Sequence, residues 1–404
     1  MRINNLCEVP FCIYGAGIVA TSIYKAIKTV YHQQPLFFLV SDTAAGKKDE
    51  NPTAIDGIPV LRLSAWQKRL QEDRECTGVS LGQDTVKSIK PEKYLLAVPE
   101  VHHQAIIRSL SDIGIPEEKL VLITNEIENQ IMGEYFNFLY PGRTVYTLLD
   151  EPIGYDSDVH ENETLKQCMI GGNTGIQVFQ AKCHVDKPLK STIQTPVYVV
   201  PIQVGTVFAD RQIAEVQDNI GDNISSKNRN YCELTATYFA WKNSDASYKG
   251  LCHYRRIFDI TEEQMRNLLG KDKEWDVILP YPSVHYPDIS AQHTRYINEE
   301  DWQAMLQALR EAAPEYLEAY ENAVSCGEQY FFNFNMLIAK TEVFDDYCDF
   351  LFKVLARVEE LTTPKGWERA DRFAGYMGEN LTTIYFLKNR DRLKIVYAGK
   401  LWLT

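Results

Sequence analysis

No run of ~18 consecutive apolar residues occurs in the sequence, so no segment reads as a membrane-spanning helix. Basic residues are not in excess either: Lys and Arg total 42 against 55 Asp and Glu, a net charge of −13. Nucleic-acid affinity comes largely from neutralising phosphates, so a generic nucleic-acid binder is excluded. There is no Cys-x-x-Cys pair. The nine cysteines, at 7, 12, 76, 168, 183, 232, 252, 326 and 348, are scattered and odd in number. That argues against a disulfide framework or zinc knuckle and for small buried thiols in a reducing compartment. The opening MRINNLCEVPFCIYGAG has no long apolar run ahead of a small-residue cleavage site, which predicts a cytoplasmic protein. With 45% hydrophobic and 24% charged residues, the composition excludes disorder, collagen-like repeats and coiled coils. The 404 residues allow two to three domains at roughly 150 residues each.

Residues 1–130 alternate strand and helix signals. Phe11-Cys12-Ile13-Tyr14 is a short apolar run leading into Gly15-Ala16-Gly17 and a helical pattern through Ile23, Ala26, Ile27 and Val30. Further apolar runs at 35–40, 94–98 and 120–123 complete a small, parallel, Rossmann-like sheet. Gly15 permits the tight turn, Gly17 permits close backbone approach, and Asp42 after the second strand can bind a ribose hydroxyl. This N-terminal site at Gly15, Gly17 and Asp42 is either a nucleotide or nucleotide-sugar site or simply a packed glycine turn. His102-His103 read as helix-capping residues. Residues 131–173 form a turn-rich connecting segment. Its Asp156-Ser157-Asp158 has the form of a metal-holding Asp-x-Asp, but its surroundings predict a solvated loop.

Residues 174–404 carry the second module. Strands are predicted at 176–181 and 197–205, the latter PIQVG ending in Gly205, and His184 follows the first of them. A polar, glycine-bearing loop over 218–228 leads into a continuous helix from Ser226 to Trp241 on the spacing of Tyr231, Leu234, Tyr238 and Trp241. A loop before a helix presents backbone N–H groups to an anion. Tyr248–Phe258 reads as one strand ending in the polar cluster His253-Tyr254-Arg255-Arg256. Two arginines there either grip phosphate oxygens or pair with acidic neighbours. Asn333 and Asn335 precede an apolar strand, either as a turn or as donor–acceptor groups for sugar hydroxyls. Phe344, Tyr347, Cys348, Leu351, Phe352, Leu355 and Val358 form a core-facing helical stripe. Arg372, Gly375 and Glu379 share one helical face. Glu379 is the candidate general base, with Asp371 and Asp222 behind it, or else it forms an internal pair with Arg372. The basic tail ending in Leu401-Trp402-Leu403 is either a final strand or a peripheral contact with an anionic membrane surface.

The set PIQVG, DNIGDNISSKNRNYCELTATYFAWKN, YKGLCHYRRIF, DVILP, FNFNMLIAKTEVFDDYCDFLF and RADRFAGYMGENL resembles one bacterial family, domain of unknown function 4422, over about 230 residues. Its members resemble glycosyltransferases that build capsular, exopolysaccharide and O-antigen chains. The YGAG turn, the 51–60 stretch and Ala97-Val98-Pro99-Glu100 resemble the N-terminal domain of bacterial sugar O-acyltransferases. The implied architecture is α/β, a small Rossmann-like domain followed by a GT-A-like domain using a nucleotide-sugar donor, with a UDP-sugar favoured. The acceptor is an oligosaccharide or lipid-linked glycan at the cytoplasmic face of the inner membrane. Cys252-His253-Tyr254-Arg255-Arg256 occupies the place of the usual Asp-x-Asp. That departure leaves two alternatives, a metal-independent enzyme or one that still uses Mn²⁺ or Mg²⁺, and no cofactor is assigned.

On this reading Arg255 and Arg256 stabilise the departing diphosphate. The donor set comprises His184, Gly205, Asp222, Asn223, Ser225, Lys227, Asn228, His253 and Tyr254, and the acceptor set Asn333, Asn335 and Arg372. Two alternatives stand beside it: an NAD-dependent oxidoreductase or epimerase of nucleotide sugars working through the N-terminal glycines, and a non-catalytic nucleotide-sugar-binding partner.

Overall fold

The computed structural model describes residues 8–43, 51–76, 90–145, 175–189, 193–270, 274–363 and 369–403. They form two compact units, Met1–Leu139 with Ser283–Pro287, and Tyr140–Pro282 with Asp288–Thr404. Asp156-Ser157-Asp158 and most of the connecting segment lie outside the described residues. Among the described residues no helix is long and apolar enough to cross a membrane.

In the first unit the strands are β1 (Phe11–Tyr14), β2 (Phe38–Val40), β3 (Ala54–Ile55), β4 (Ile58–Arg62), β5 (Lys93–Leu96) and β6 (Leu120–Leu122). Their order is β3-β4-β2-β1-β5-β6, parallel throughout except for β3. This is an open Rossmann-like sheet. Helices α1 (Ile18–Tyr31), α2 (Leu63–Cys76), α3 (His103–Asp112) and α4 (Asn125–Leu139) connect it, and the expected boundary at 130 falls inside α4. Residues 283–287 belong here because α1 holds them: Thr21 Oγ1 donates to the Val284 carbonyl at 2.6 Å and Val284 N–H to Ser22 Oγ at 3.1 Å.

Gly15 is required by geometry. Its φ is +127°, and a Cβ there would lie 2.6 Å from the Ala97 carbonyl oxygen. Gly17 has φ −89° as the residue capping α1, and nothing lies within 4 Å of a Cβ placed on it. Gly15→Ala is therefore expected to destabilise this unit by about 3 kcal/mol or more, while Gly17→Ala changes it by less than about 1 kcal/mol. Urea unfolding of the two variants checks this, and equal losses would contradict it.

The second unit holds β7 (Thr144–Val145), β8 (Ile176–Lys182), β9 (Val199–Gln203), β10 (Val216–Gln217), β11 (Tyr248–His253), β12 (Arg256–Phe258), β13 (Val277–Pro280), β14 (Leu337–Lys340), β15 (Ile395–Ala398) and β16 (Lys400–Trp402). The sheet runs β10-β9-β8-β11-β14-β13-β15-β7, with β12 and β16 extending from β11. Strands β10, β9, β8 and β11 are mutually parallel, β14 is antiparallel to both of its neighbours, and β13, β15 and β7 are parallel again. The predicted stripe on the helix Thr341–Leu361 is buried along its length, each side chain contributing roughly 1.5–3 kcal/mol.

Two local expectations are corrected. The continuous helix from Ser226 is broken: α5 (Asn228–Tyr231) stops at Cys232, at φ 51° and ψ −125°, and α6 (Leu234–Asn243) restarts after it. At the break Asn228 donates its amide to the Cys232 carbonyl at 2.8 Å, a bond outside the helical ladder. The single strand over 248–258 is a hairpin, His253 pairing directly with Arg256 across a Tyr254-Arg255 turn. The tail is a final strand: β16 pairs with β12, and Leu403 is buried.

Candidate active site

Ligands of open parallel sheets gather at the carboxyl ends of the strands. Here β8 and β11 run side by side, with Ala181 opposite His253, so Cys183-His184 and the β11–β12 hairpin emerge together. Gln180, fully buried, fixes the hairpin by donating Nε2 to the carbonyls of His253 at 3.3 Å and Tyr254 at 3.1 Å. The Arg256 guanidinium lies between the rings of Phe334 at 4.2 Å and Trp402 at 4.1 Å. Arg255 lies over Tyr254 at 5.5 Å. Among the described residues, the Nε atoms of both arginines are buried without a hydrogen-bond partner, and neither arginine forms a salt bridge. Burial and the neighbouring Arg255 lower the Arg256 pKa to about 10, which leaves it cationic at neutral pH. Glu379 and Glu233 act on Arg256 only at a distance, and a desolvated cation without a direct ion pair is costly. The hairpin is thus arranged for an anion from outside.

Glu379 lies on the helix Phe373–Asn389. Its Oε1 accepts the Phe334 N–H at 2.8 Å and its Oε2 the Gln292 amide at 3.1 Å. Some of its surface reaches solvent, yet the surrounding protein is deep enough for desolvation to dominate. Burial, with Glu233 adding to it, pushes the pKa up to about 8 against the pull of the Phe334 N–H, Arg256 and Gln292. Phe334 and Asn335 are consecutive non-glycine residues at φ 74° and 50°, a conformation costing on the order of 1–3 kcal/mol each. Several bonds hold them there. His253 Nε2 lies 2.5 Å from the Phe334 carbonyl, and Asn335 donates its amide to Glu233 at 2.7 Å and to the Gly375 carbonyl at 3.1 Å. A carbonyl only accepts, so His253 carries its proton on Nε2. Burial lowers the His253 pKa, so its 3.6 Å approach to Glu233 is that of a neutral ring. Of the six positive-φ non-glycine residues described, four gather here: Cys232, Phe334, Asn335 and Arg372. Backbone strain of this kind clusters at functional sites.

Residues 182–390, just over half of the chain, match the family model described as "Domain of unknown function (DUF4422)". The chain belongs to this family. No curated protein matches it. A solved structure described as "WbbM bifunctional glycosytransferase apo structure" is similar at 24% identity, over 57% of this chain and 45% of that chain, with a TM-score of 0.47. The present chain thus spans less than half the length of that protein.

Within the DUF4422 stretch the expected donor residues divide. Asp218, fully buried, accepts from the Gly205 N–H at 2.8 Å, the Thr206 N–H at 3.1 Å, Ser225 Oγ at 2.6 Å and Thr235 Oγ1 at 2.8 Å. Ser225 is therefore buried in a structural hub. Gly205 is needed because a Cβ would lie 2.5 Å from Asn228 Oδ1, and the Asn228 amide serves Cys232 and Thr235. Lys227 pairs with Glu359 at 2.6 Å. Asp222 is exposed and bonds to Tyr238 and Asn243. Asn223 closes its own turn by donating to the Gly221 carbonyl.

Other expected residues fare differently. Asn335 is fully buried and positions Glu233, so its amide is not presented to a sugar. Asn333 is half-buried beside it. Arg372 is exposed and forms no pair with Glu379; its charge, with that of Arg255, acts on Asp186. His184 lies beside Cys183 at 3.7 Å. In the first unit Asp42 accepts the Ser64 hydroxyl at 2.6 Å and its N–H. His103 Nε2 bonds to the Val98 carbonyl at 3.0 Å, and His102 makes no side-chain cap.

Glu233, Gln292, Asp186 and Asp218 were not foreseen. Glu233 and Asp218 lie inside the polar stretch of one motif, while Asp186 and Gln292 fall outside every motif. Glu233 and Glu379 stand beside Arg256 with oxygens already bonded to amides. Among the described residues no group of three or more His, Cys, Asp or Glu side chains is placed to hold a metal ion. No step below is routed through a metal ion.

Proposed function

We propose that the second unit is a GT-A-like glycosyltransferase that moves a sugar from a nucleotide donor, a UDP-sugar foremost, to a hydroxyl of a growing surface glycan. The observation that carries this is the pairing of two guanidiniums, neither in a salt bridge with a described carboxylate, with a nearby carboxyl whose pKa is pushed up to about 8. An acceptor oxygen attacks the anomeric carbon and gives its proton to Glu379. The bond from that carbon to the diphosphate breaks, its electrons leave with the diphosphate, and Arg255 and Arg256 meet the charge that develops. Cation–π contacts with Phe334 and Trp402 hold the Arg256 guanidinium in place before the donor arrives. The resemblance to polysaccharide-building enzymes supports the class of acceptor. The acyltransferase-like first unit fits recognition of the same nucleotide sugar.

A thermal-shift series with UDP, GDP, CMP, dTDP and NAD, with and without Mn²⁺, tests the donor. One nucleoside diphosphate is expected to raise the melting temperature by mass action. Arg256→Ala is expected to weaken its binding about 10–100-fold, the value of a charge-assisted bond. A shift with NAD alone would overturn the reading in favour of an oxidoreductase.

A further inference from the structure

We propose that Tyr296 and Tyr376 form the platform on which the acceptor's sugar ring stacks, an inference that rests on the transferase reading above. Tyr376 precedes Glu379 by three residues on the helix Phe373–Asn389, so the two share a face. The Tyr376 ring is stacked on Tyr296, centroids 5.0 Å apart and planes 15° from parallel. Tyr296 is 51% exposed, so the stack continues to solvent.

A second link registers this stack with the reacting centre. Tyr296 ends the turn His293–Tyr296, and Gln292, four residues before it and fully buried, is the residue that donates to Glu379 Oε2. One short segment therefore positions the carboxyl through Gln292 and presents the aromatic face through Tyr296. Asn380 donates to Gln292 Oε1 at 2.9 Å and locks that segment to the helix of Glu379.

The C–H face of a pyranose packs on an aromatic ring, and tyrosine supplies such a surface at little conformational cost. A nucleobase would stack equally well. What selects the acceptor is position: Glu379 must come within roughly 3 Å of the attacking hydroxyl, and the platform lies one turn from Glu379 on the same helix face. The diphosphate, with the nucleoside beyond it, belongs to the hairpin arginines.

Saturation-transfer NMR on the full chain tests this, using the methyl β-glycosides of glucose, galactose and N-acetylglucosamine, with UDP as an independent probe. The variants are Tyr296→Ala, Tyr296→Phe and Tyr376→Phe. Transfer to sugar C–H protons is expected in the wild type and both Phe variants. Tyr296→Ala, on an exposed turn, is expected to weaken glycoside binding about tenfold and leave UDP binding unchanged. The inference is overturned if no glycoside binds the wild type, if Tyr296→Ala binds it undiminished, or if that variant loses UDP instead. The transferase reading fails by a separate sign, the absence of any nucleoside diphosphate binding, while glycoside binding lost in Tyr296→Ala would still support the stacking site.

Discussion

Glu379→Gln is expected to lower sugar transfer by about 10²–10⁴-fold, the usual contribution of a positioned general base, without loss of fold. Glutamine keeps an oxygen for the Phe334 N–H and fills the same space, but accepts no proton. In the wild type, where burial pushes the carboxyl up to about 8, the rate should rise with pH at unit slope and level off above that value. A flat profile between about pH 6 and 9, or substantial transfer by the variant, would remove Glu379 from the role. The same shift has a stability consequence. The folded-state pKa lies above the ordinary value of 4.5, so between these values the native state keeps a proton that the unfolded chain has released. Stability therefore falls as pH rises through this window, by at most about 1.4 kcal/mol per pH unit. Glu379→Gln lacks that loss, and its advantage in melting temperature should be largest above pH 8 and vanish below 4.5.

Asp218→Ala is expected to be among the most destabilising single substitutions in the second unit, at about 3–5 kcal/mol. It would leave two buried backbone N–H groups and two hydroxyls around Gly205, Thr206, Ser225 and Thr235 without their shared acceptor. Asp218→Asn should cost less, because one oxygen can still accept twice. Urea unfolding of both variants measures this, and a loss below about 1 kcal/mol for alanine would contradict the hub.

The hub also shows where reading residues in order reaches its limit. Strands β1, β2, β5 and β6 were legible because each is an apolar run bounded by turn residues, and the glycine turn after β1 follows from the same pattern. The buried stripe on Thr341–Leu361 was equally plain from its period. The break at Cys232 was not, since Tyr231, Leu234 and Tyr238 keep helical spacing straight across it. Nor was the turn at Tyr254-Arg255 visible, because neither residue is a turn former. At the site, Arg255, Arg256, His253 and Glu379 stood out by chemistry and are brought together. Ser225, Asn228 and Asn335 have the same chemistry, but their polar groups serve the protein's own backbone and side chains. A sequence shows that a residue can hydrogen-bond and not with what. Glu233 and Gln292 went unseen because their significance depends on partners more than 80 residues away.

The most direct test of the central claim is release of nucleoside diphosphate from UDP-, GDP- and dTDP-sugars by the purified full chain with glycan acceptor present. Wild type should consume one donor and yield a glycosylated product. Arg256→Ala and Glu379→Gln should give neither at a comparable rate, although both remain folded by thermal melting. Turnover unaffected by both substitutions, or no donor consumed and no nucleoside diphosphate bound by the wild type, would contradict it.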